Sequence, residues 1–213
     1  MRPDNNLINL LPKYFPVLKA RQYQQFYHLE ELVQYWNARI NIISRKDIQN
    51  TGIHHILYSL AIAKVISFTE STRVIDIGTG GGFPGLPLAI IFPEVHFSLV
   101  DSTGKKIKVV KSLIQELDLS NSEAIQIRAE EVKEMYDFAV SRAVSTIPEF
   151  VTIAEGRISR ENKNAIPNGI LYLKGGDIST EIEKYSKIVS VFEINKFFSE
   201  EYFRTKKVIH IPV

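Results

Sequence analysis

The run VIDIGTGGGFPGLPLAI, residues 74–90, packs Gly78, Gly80, Gly81, Gly82 and Gly85 into eight positions, five of the eleven glycines in the chain. A loop of that composition lets the backbone turn sharply or lets a ligand approach it closely. Gly80, Gly82 and Gly85 satisfy G-x-G-x-x-G between a predicted strand and a predicted helix. Asp101 closes the next predicted strand, where an acid would meet the diol of a ribose. On this pattern a nicotinamide dinucleotide is one candidate ligand. Asp76 argues against it, because a carboxylate at the tip of the first strand, two residues before Gly78, would face a pyrophosphate. Pro84 and Pro87 also remove two amide donors from the first helical turn, which makes a poorer anion cradle. A ligand that is cationic at this end fits better. S-adenosyl-L-methionine (AdoMet) brings an ammonium, a sulfonium and no phosphate, and leaves its ribose to Asp101. A tight turn that binds nothing is the remaining alternative, and five glycines are more than such a turn needs.

Further along, DFAVSRAV places Ser141 and Arg142 at the end of a predicted strand. Arg142 could hold a cofactor, donate to a base edge, or form a salt bridge at the sheet edge. Lys105, Lys106, Lys108 and Lys111 follow Asp101 at the start of a helix, either a phosphate-binding stripe or a solvated face. Arg39, Arg45 and Lys46 form a second basic group beside Tyr35 and Trp36, with Trp36 on an apolar stripe. Lys174, in KGG, stands at a strand end and could line a substrate mouth. His54 and His55 are neighbours on a predicted helix, about 100° apart, so one metal ion could hardly use both. A structural role or an RNA contact is expected there, and no metal site.

The elements that must position these residues are readable from periodicity. Phe26, Leu29, Val33, Trp36 and Ile40 recur at spacings of three and four, and Ile56, Leu60, Ala63 and Ile66 repeat the pattern, predicting a second helix from about Ile53 to Phe68. Residues 1–70 are thus expected to form an N-terminal helical cap. From residue 71 to 213, short apolar runs alternate with amphipathic segments, the signature of βαβ repetition and a mostly parallel sheet. VSVFEINKFF and RTKKVIHIPV are separated only by SEEYF, which predicts an antiparallel hairpin at the end. The expected fold is therefore α/β and Rossmann-like. With 213 residues, 45% of them hydrophobic, the chain is long enough for one sizeable core. A net charge of +2 leaves nucleic-acid binding to local patches. No cysteine is present, which removes disulfides, thiolate metal sites and cysteine nucleophiles. No long apolar run suggests a membrane span, so a cytoplasmic protein is expected.

DIGTGGGFPGLPLAI, followed in order by LVDSTGKKIKVVK, RAEEV, AVSRAV and LYLKGG, closely resembles the bacterial small-subunit rRNA guanine-N7 methyltransferases, the glucose-inhibited division protein B family. The resemblance extends upstream to YWNARINIISRKD and HHILYSL and covers roughly residues 35 to 176. It implies a class I AdoMet-dependent methyltransferase acting on a loop of the decoding region in 16S rRNA. The expected partner is that RNA or the small ribosomal subunit, with no DNA and no membrane, and the enzyme is expected to be a monomer. Carried over by motif, cofactor contacts fall on Gly78 and Phe83, on Ala129 and Glu130, and on Arg142, which is also the expected catalytic contact. Two features depart from the family pattern: Tyr58 stands where an Asp is usual, and the tail ends in HIPV where a basic residue is common. The chain has no cysteine nucleophile for pyrimidine C5 and no Asn/Asp-Pro-Pro-aromatic turn for an exocyclic amine. Guanine N7 carries a lone pair and no proton, so its methylation needs positioning and charge management, not a general base.

Overall fold

The computed structural model describes residues 6–142 and 145–213; Ala143 and Val144 of the AVSRAV run and residues 1–5 lie outside the described residues. Seven strands form one sheet: β1 (Arg73–Ile77), β2 (His96–Asp101), β3 (Ser122–Gln126), β4 (Phe138–Arg142), β5 (Gly169–Gly175), β6 (Ser190–Glu193) and β7 (Lys206–Pro212). Their order is β3-β2-β1-β4-β5-β7-β6. The first five are parallel, while β7 runs antiparallel to both β5 and β6. β1, β2, β4 and β5 are buried almost throughout, as strands covered on both faces must be, which explains why they read as continuous apolar runs. The order reverses between β1 and β4, so a crevice opens at the carboxyl ends of the central strands.

Helices α5 (Gly85–Ile91), α6 (Gly104–Glu116), α7 (Ile147–Ala154) and the short α8 (Ser179–Ile182) fill the crossovers. Thr146 and Glu149 cap α7 reciprocally, side chain to backbone, which fixes where it starts just beyond β4. One face of the sheet buries Ile75, Val100, Phe150, Tyr172 and Ile209. The opposite face buries Phe97, Leu99, Phe138 and Leu171 together with the N-terminal helices.

Those helices are α1 (Leu7–Tyr14), which the sequence pattern does not announce, and α2 (Ala20–Asn37). Phe26, Leu29 and Val33 of α2 are wholly buried and share one cluster with Leu86 and Leu88 of α5. Burying each such side chain is worth about 1.5–3 kcal/mol. Gln22 donates to the Ile90 carbonyl at 2.8 Å and Gln25 to that of Leu117 at 2.7 Å, tying the polar side of α2 to the same elements. The cap is thus continuous with the core of the sheet.

The expected helix from Ile53 to Phe68 is shorter and less regular. A π-helical turn, Thr51–Leu57, passes into α3 (Tyr58–Leu60) and α4 (Ile62–Val65), and the chain is extended from Ile66. The wider turn presents the His54 carbonyl and the His55 ring to the same partner, Arg142. The terminal hairpin is present, with Ser190 opposite His210, but its connection runs through residues 194–205. Phe198 and Phe203, both buried, anchor that connection. Among the described residues no helix is long and apolar enough to cross a membrane.

Candidate active site

The glycine loop is built around Asp76. Its carboxylate is completely buried at the end of β1, and Oδ2 accepts from the Thr79 hydroxyl at 2.6 Å and from the Gly85 amide at 2.8 Å. Gly85 must lack a side chain, since a Cβ would come within 2.7 Å of Leu99 and 2.8 Å of that carboxylate. The first-turn donors of α5 are therefore taken: Gly85 serves Asp76, Leu86 serves the Gly82 carbonyl, and Pro87 has none. An anion arriving here would find a carboxylate in its place and no free amide. The second oxygen, Oδ1, is buried and has no partner. Burial pushes the Asp76 carboxyl up to about 7, against the opposing pull of the Thr79 and Gly85 hydrogen bonds. A cationic group beside Oδ1 would supply what the protein does not.

Asp101 closes β2 and accepts from the amides of Gly80 at 3.0 Å and Thr103 at 2.8 Å. Gly80 reaches it with φ +58, a conformation that glycine adopts without strain. Asp101 lines a cleft of about 350 Å³ together with Gly78, Lys106, Ala129 and Glu130. Ala129 and Glu130 begin a 3₁₀ turn after β3, held from below by Arg157, which donates to the Glu130 carbonyl at 2.5 Å. The residues expected to bind a nucleoside are thus gathered at one place, over the carboxyl ends of β1, β2 and β3.

Arg142 stands at the end of β4, with Nη1 donating to the His54 carbonyl at 3.0 Å and Nη2 meeting His55 Nδ1 at 2.7 Å. Its guanidinium also lies 5.5 Å from the centre of the Phe83 ring, which is itself buried. Burial, reinforced by the neighbouring Arg142, holds His55 down to about 2. The ring is therefore neutral, accepts at Nδ1 and carries its proton on Nε2, which is buried and unpartnered. Ser141 is used internally, donating to the Ile77 carbonyl at 2.7 Å.

The outlying candidates are placed differently. Lys105, Lys108 and Lys111 are exposed on α6. Arg39 is exposed but folded over the Tyr35 ring at 3.6 Å, and Arg45 and Lys46 lie exposed in the turn that follows. Trp36 packs against the core, as its place on the apolar stripe suggests. Lys174 spends its charge on Glu181 at 2.5 Å, a half-buried contact, which leaves little for a ligand. His54 bonds Asp47 at 2.9 Å and stacks on Tyr202 at 3.8 Å. No group of three or more potential metal ligands occurs among the described residues. Tyr58 is buried and meets Tyr202 edge to face. Sequence reasoning did not place Tyr202 and Lys206 at this site, because the connection that carries them has no periodicity; its only signal is the aromatic and basic run EYFRTKK.

Comparison with known proteins agrees with this architecture. Two solved structures share the fold at low identity: a SAM-dependent methyltransferase from Aquifex aeolicus, with TM-score 0.51 and 16% identity over 73% of this chain and 89% of that one, and the precorrin-6y C5,15-methyltransferase of Geobacter metallireducens, with TM-score 0.53 and 12% identity over 80% and 90%. Relatives named ribosomal RNA small subunit methyltransferase G are much closer. That of Flavobacterium psychrophilum is 52% identical over 94% of this chain and 96% of its own length. That of Porphyromonas gingivalis is 48% identical over 96% and 93%. The family model described as GidB, rRNA small subunit methyltransferase G, matches residues 22–208. With its glycine loop, its Rossmann-like sheet and this match along most of its length, the chain belongs to the GidB family of methyltransferases, whose cofactor is S-adenosyl-L-methionine.

Proposed function

We propose that the protein methylates N7 of a guanine in 16S rRNA, with AdoMet as donor and with the cytoplasmic small ribosomal subunit or its precursor as partner. The names of the family and of its relatives support the rRNA substrate. The observation that carries the choice of atom is that the groups able to take a proton near Arg142 are already committed. His55 is neutral at any physiological pH with Nδ1 turned to Arg142, and Asp47 accepts from His54. Asp76 lies on the cofactor side, with Oδ2 committed to Thr79 and Gly85 and Oδ1 assigned to the cofactor's cation. An acceptor that must lose a proton has no base there, whereas guanine N7 loses none.

The residues fit the cofactor: Asp76 offers its unpartnered Oδ1 to a cation, Asp101 offers a carboxylate to a diol, and Gly78, Ala129 and Glu130 shape the walls, while Gly80 holds Asp101 and Phe83 is buried beside Arg142. AdoMet supplies there a methyl group made electrophilic by its sulfonium. Arg142, fixed by two hydrogen bonds, positions the acceptor RNA at the rim. The exposed Lys105 and Lys108, with Arg39, Arg45 and Lys46, are the surface contacts to RNA phosphates; Lys174, being ion-paired, contributes less. A dinucleotide is disfavoured by the absence of free amides at the start of α5. The test is mass mapping of methylated guanines in rRNA from cells with and without the protein. Loss of one N7-methylguanine in 16S rRNA is expected, and an unchanged map would refute the assignment.

A further inference from the structure

At the carboxyl end of β4 and β5, beyond the cofactor cleft, the structure gathers hydrogen-bond donors and few acceptors. Lys206 opens β7 directly opposite Gly175. Because residue 175 has no side chain, the lysine lies back over the strand end; a Cβ there would come within 2.9 Å of both its Cδ and its Nζ. The ammonium is thereby set 4.8 Å from the centre of the Tyr202 ring and 5.8 Å from that of Tyr58. The two phenols meet edge to face at 5.8 Å, and Tyr202 is backed on its other side by His54. Arg142 is near enough to act on the ionisation of both phenols and of Lys206.

Charge in this cluster is unbalanced. Neither Arg142 nor Lys206 has an ion pair among the described residues. Asp47, the carboxylate that acts on both, is half-exposed and hydrogen-bonded to His54; Asp76 reaches Arg142 only from beneath the loop. Neither the Tyr58 nor the Tyr202 hydroxyl has a hydrogen-bond partner among the described residues. Two cations without an ion pair and two hydroxyls without an acceptor among the described residues suit a permanent anion rich in acceptor oxygens. They suit the reacting base edge poorly, because methylation at N7 leaves positive charge on the purine, which neighbouring cations oppose.

We propose that Lys206, Tyr202, Tyr58 and Arg142 form a subsite for a backbone phosphate of the acceptor RNA, which fixes the target nucleotide against the cofactor. The proposal rests on the reading that the substrate is RNA. It assigns a function to the second residue of the KGG run, since Gly175 makes the room that Lys206 occupies.

The test compares the wild type with Lys206→Gln, Lys206→Arg, Gly175→Ala and Tyr202→Phe. Thermal melts confirm folding, calorimetry reads AdoMet affinity, and filter retention reads 16S rRNA binding across a salt series. Steady-state methylation of small subunits gives KM and kcat. Lys206→Gln and Gly175→Ala are expected to raise KM for the subunit about 5- to 30-fold and to leave AdoMet affinity within about twofold, as for loss of one charge-assisted contact. Lys206→Gln should reduce the slope of log K against log salt by about 0.7 to 0.9, the share of one phosphate, and Lys206→Arg should restore it. Tyr202→Phe, which keeps the ring packing, should raise KM about 3- to 10-fold. Unchanged KM and slope in both Lys206→Gln and Gly175→Ala would overturn the subsite. So would a loss of AdoMet affinity with RNA binding intact, which would make the cluster a cofactor contact. A wild-type protein that binds rRNA with the expected slopes but yields no N7-methylguanine would instead overturn the functional reading and leave the subsite standing.

Discussion

Asp76 is a buried carboxylate whose second oxygen the protein leaves without a partner, so replacing it by Asn separates its service to the fold from its service to the ligand. In the unfolded chain its pKa is near 3.8, and in the folded protein burial raises it to about 7. Below pH 3.8 both states hold the proton and there is no penalty. As the pH rises, the unfolded state loses the proton first, so folding stability falls by about 1.4 kcal/mol per pH unit and levels off above pH 7. The accumulated cost is on the order of 4 kcal/mol. Asn does not titrate and can still accept from Thr79 and Gly85 through its oxygen. It buries an unpaired amide, which costs about 1–3 kcal/mol at every pH. Asp76→Asn should therefore be the less stable protein near pH 4.5 and more stable than wild type by about 1–3 kcal/mol at pH 8. Urea unfolding of the ligand-free protein at several pH values measures this difference. A gap between the two proteins that stays constant from pH 4.5 to 8 would refute the account of Asp76. The complementary measurement is AdoMet affinity. In wild type it should rise with pH up to about 7 and then flatten, since a cation binds the ionised carboxylate, while Asp76→Asn should bind weakly and without that rise.

Asp101→Ala should weaken AdoMet by about 1–3 kcal/mol through lost charge-assisted bonds, and it should also loosen the loop, since Gly80 loses its acceptor; calorimetry reads the first and hydrogen exchange at Gly80 the second. Charge reversal at Lys105 and Lys108 should reduce the salt slope of rRNA binding, and an unchanged slope would return them to the solvated face of α6. Phe26→Ala should cost about 3–5 kcal/mol in a single unfolding transition, because the cap shares its core with the sheet; an early separate transition would show a cap that unfolds alone. Single-turnover methylation at saturating AdoMet and RNA should be nearly flat between about pH 6.5 and 8.5. Arg142→Lys should be slower throughout that range, because lysine keeps the charge and loses the planar fork that His54 and His55 hold.

The glycine-loop half of the candidate site was legible because it is built from local backbone requirements. Gly80 and Gly85 are demanded by a positive φ and a close approach, and Asp76 and Asp101 end adjacent strands, so a strand–loop–helix pattern fixes them with no knowledge of the rest. The sheet was legible for a similar reason, since parallel strands buried on both faces read as unbroken apolar runs. The other half depends on contacts between distant parts of the chain. The partnership of Arg142 with His54 and His55 requires a π-helical turn, and no periodicity distinguishes that turn from the regular helix expected there. Lys206 and Tyr202 become neighbours of Tyr58 only when an irregular connection folds back and Phe203 anchors it. Lys174 was misleading in the opposite way: a strand-end lysine looks available, and only tertiary structure shows Glu181 beside it.

The two halves share one electrostatic principle. Asp76 is a carboxyl group with an unpartnered oxygen near the end of β1, and Arg142 is a cation without an ion pair among the described residues at the end of β4, the strand beside it. Each is held in place by neutral groups, Asp76 by a hydroxyl and an amide, Arg142 by a carbonyl and an uncharged imidazole. Had the two paired directly, the fold would gain a buried salt bridge and the ligands would lose both handles. Burial instead raises the pKa of one and lowers that of the other, so each charged form is disfavoured in the ligand-free protein. A cationic cofactor at Asp76 and an anionic RNA at Arg142 would relieve the two penalties together. Binding of either ligand then changes the field felt by the other, across a single strand spacing, so the affinities for AdoMet and RNA should be coupled even without movement of the backbone.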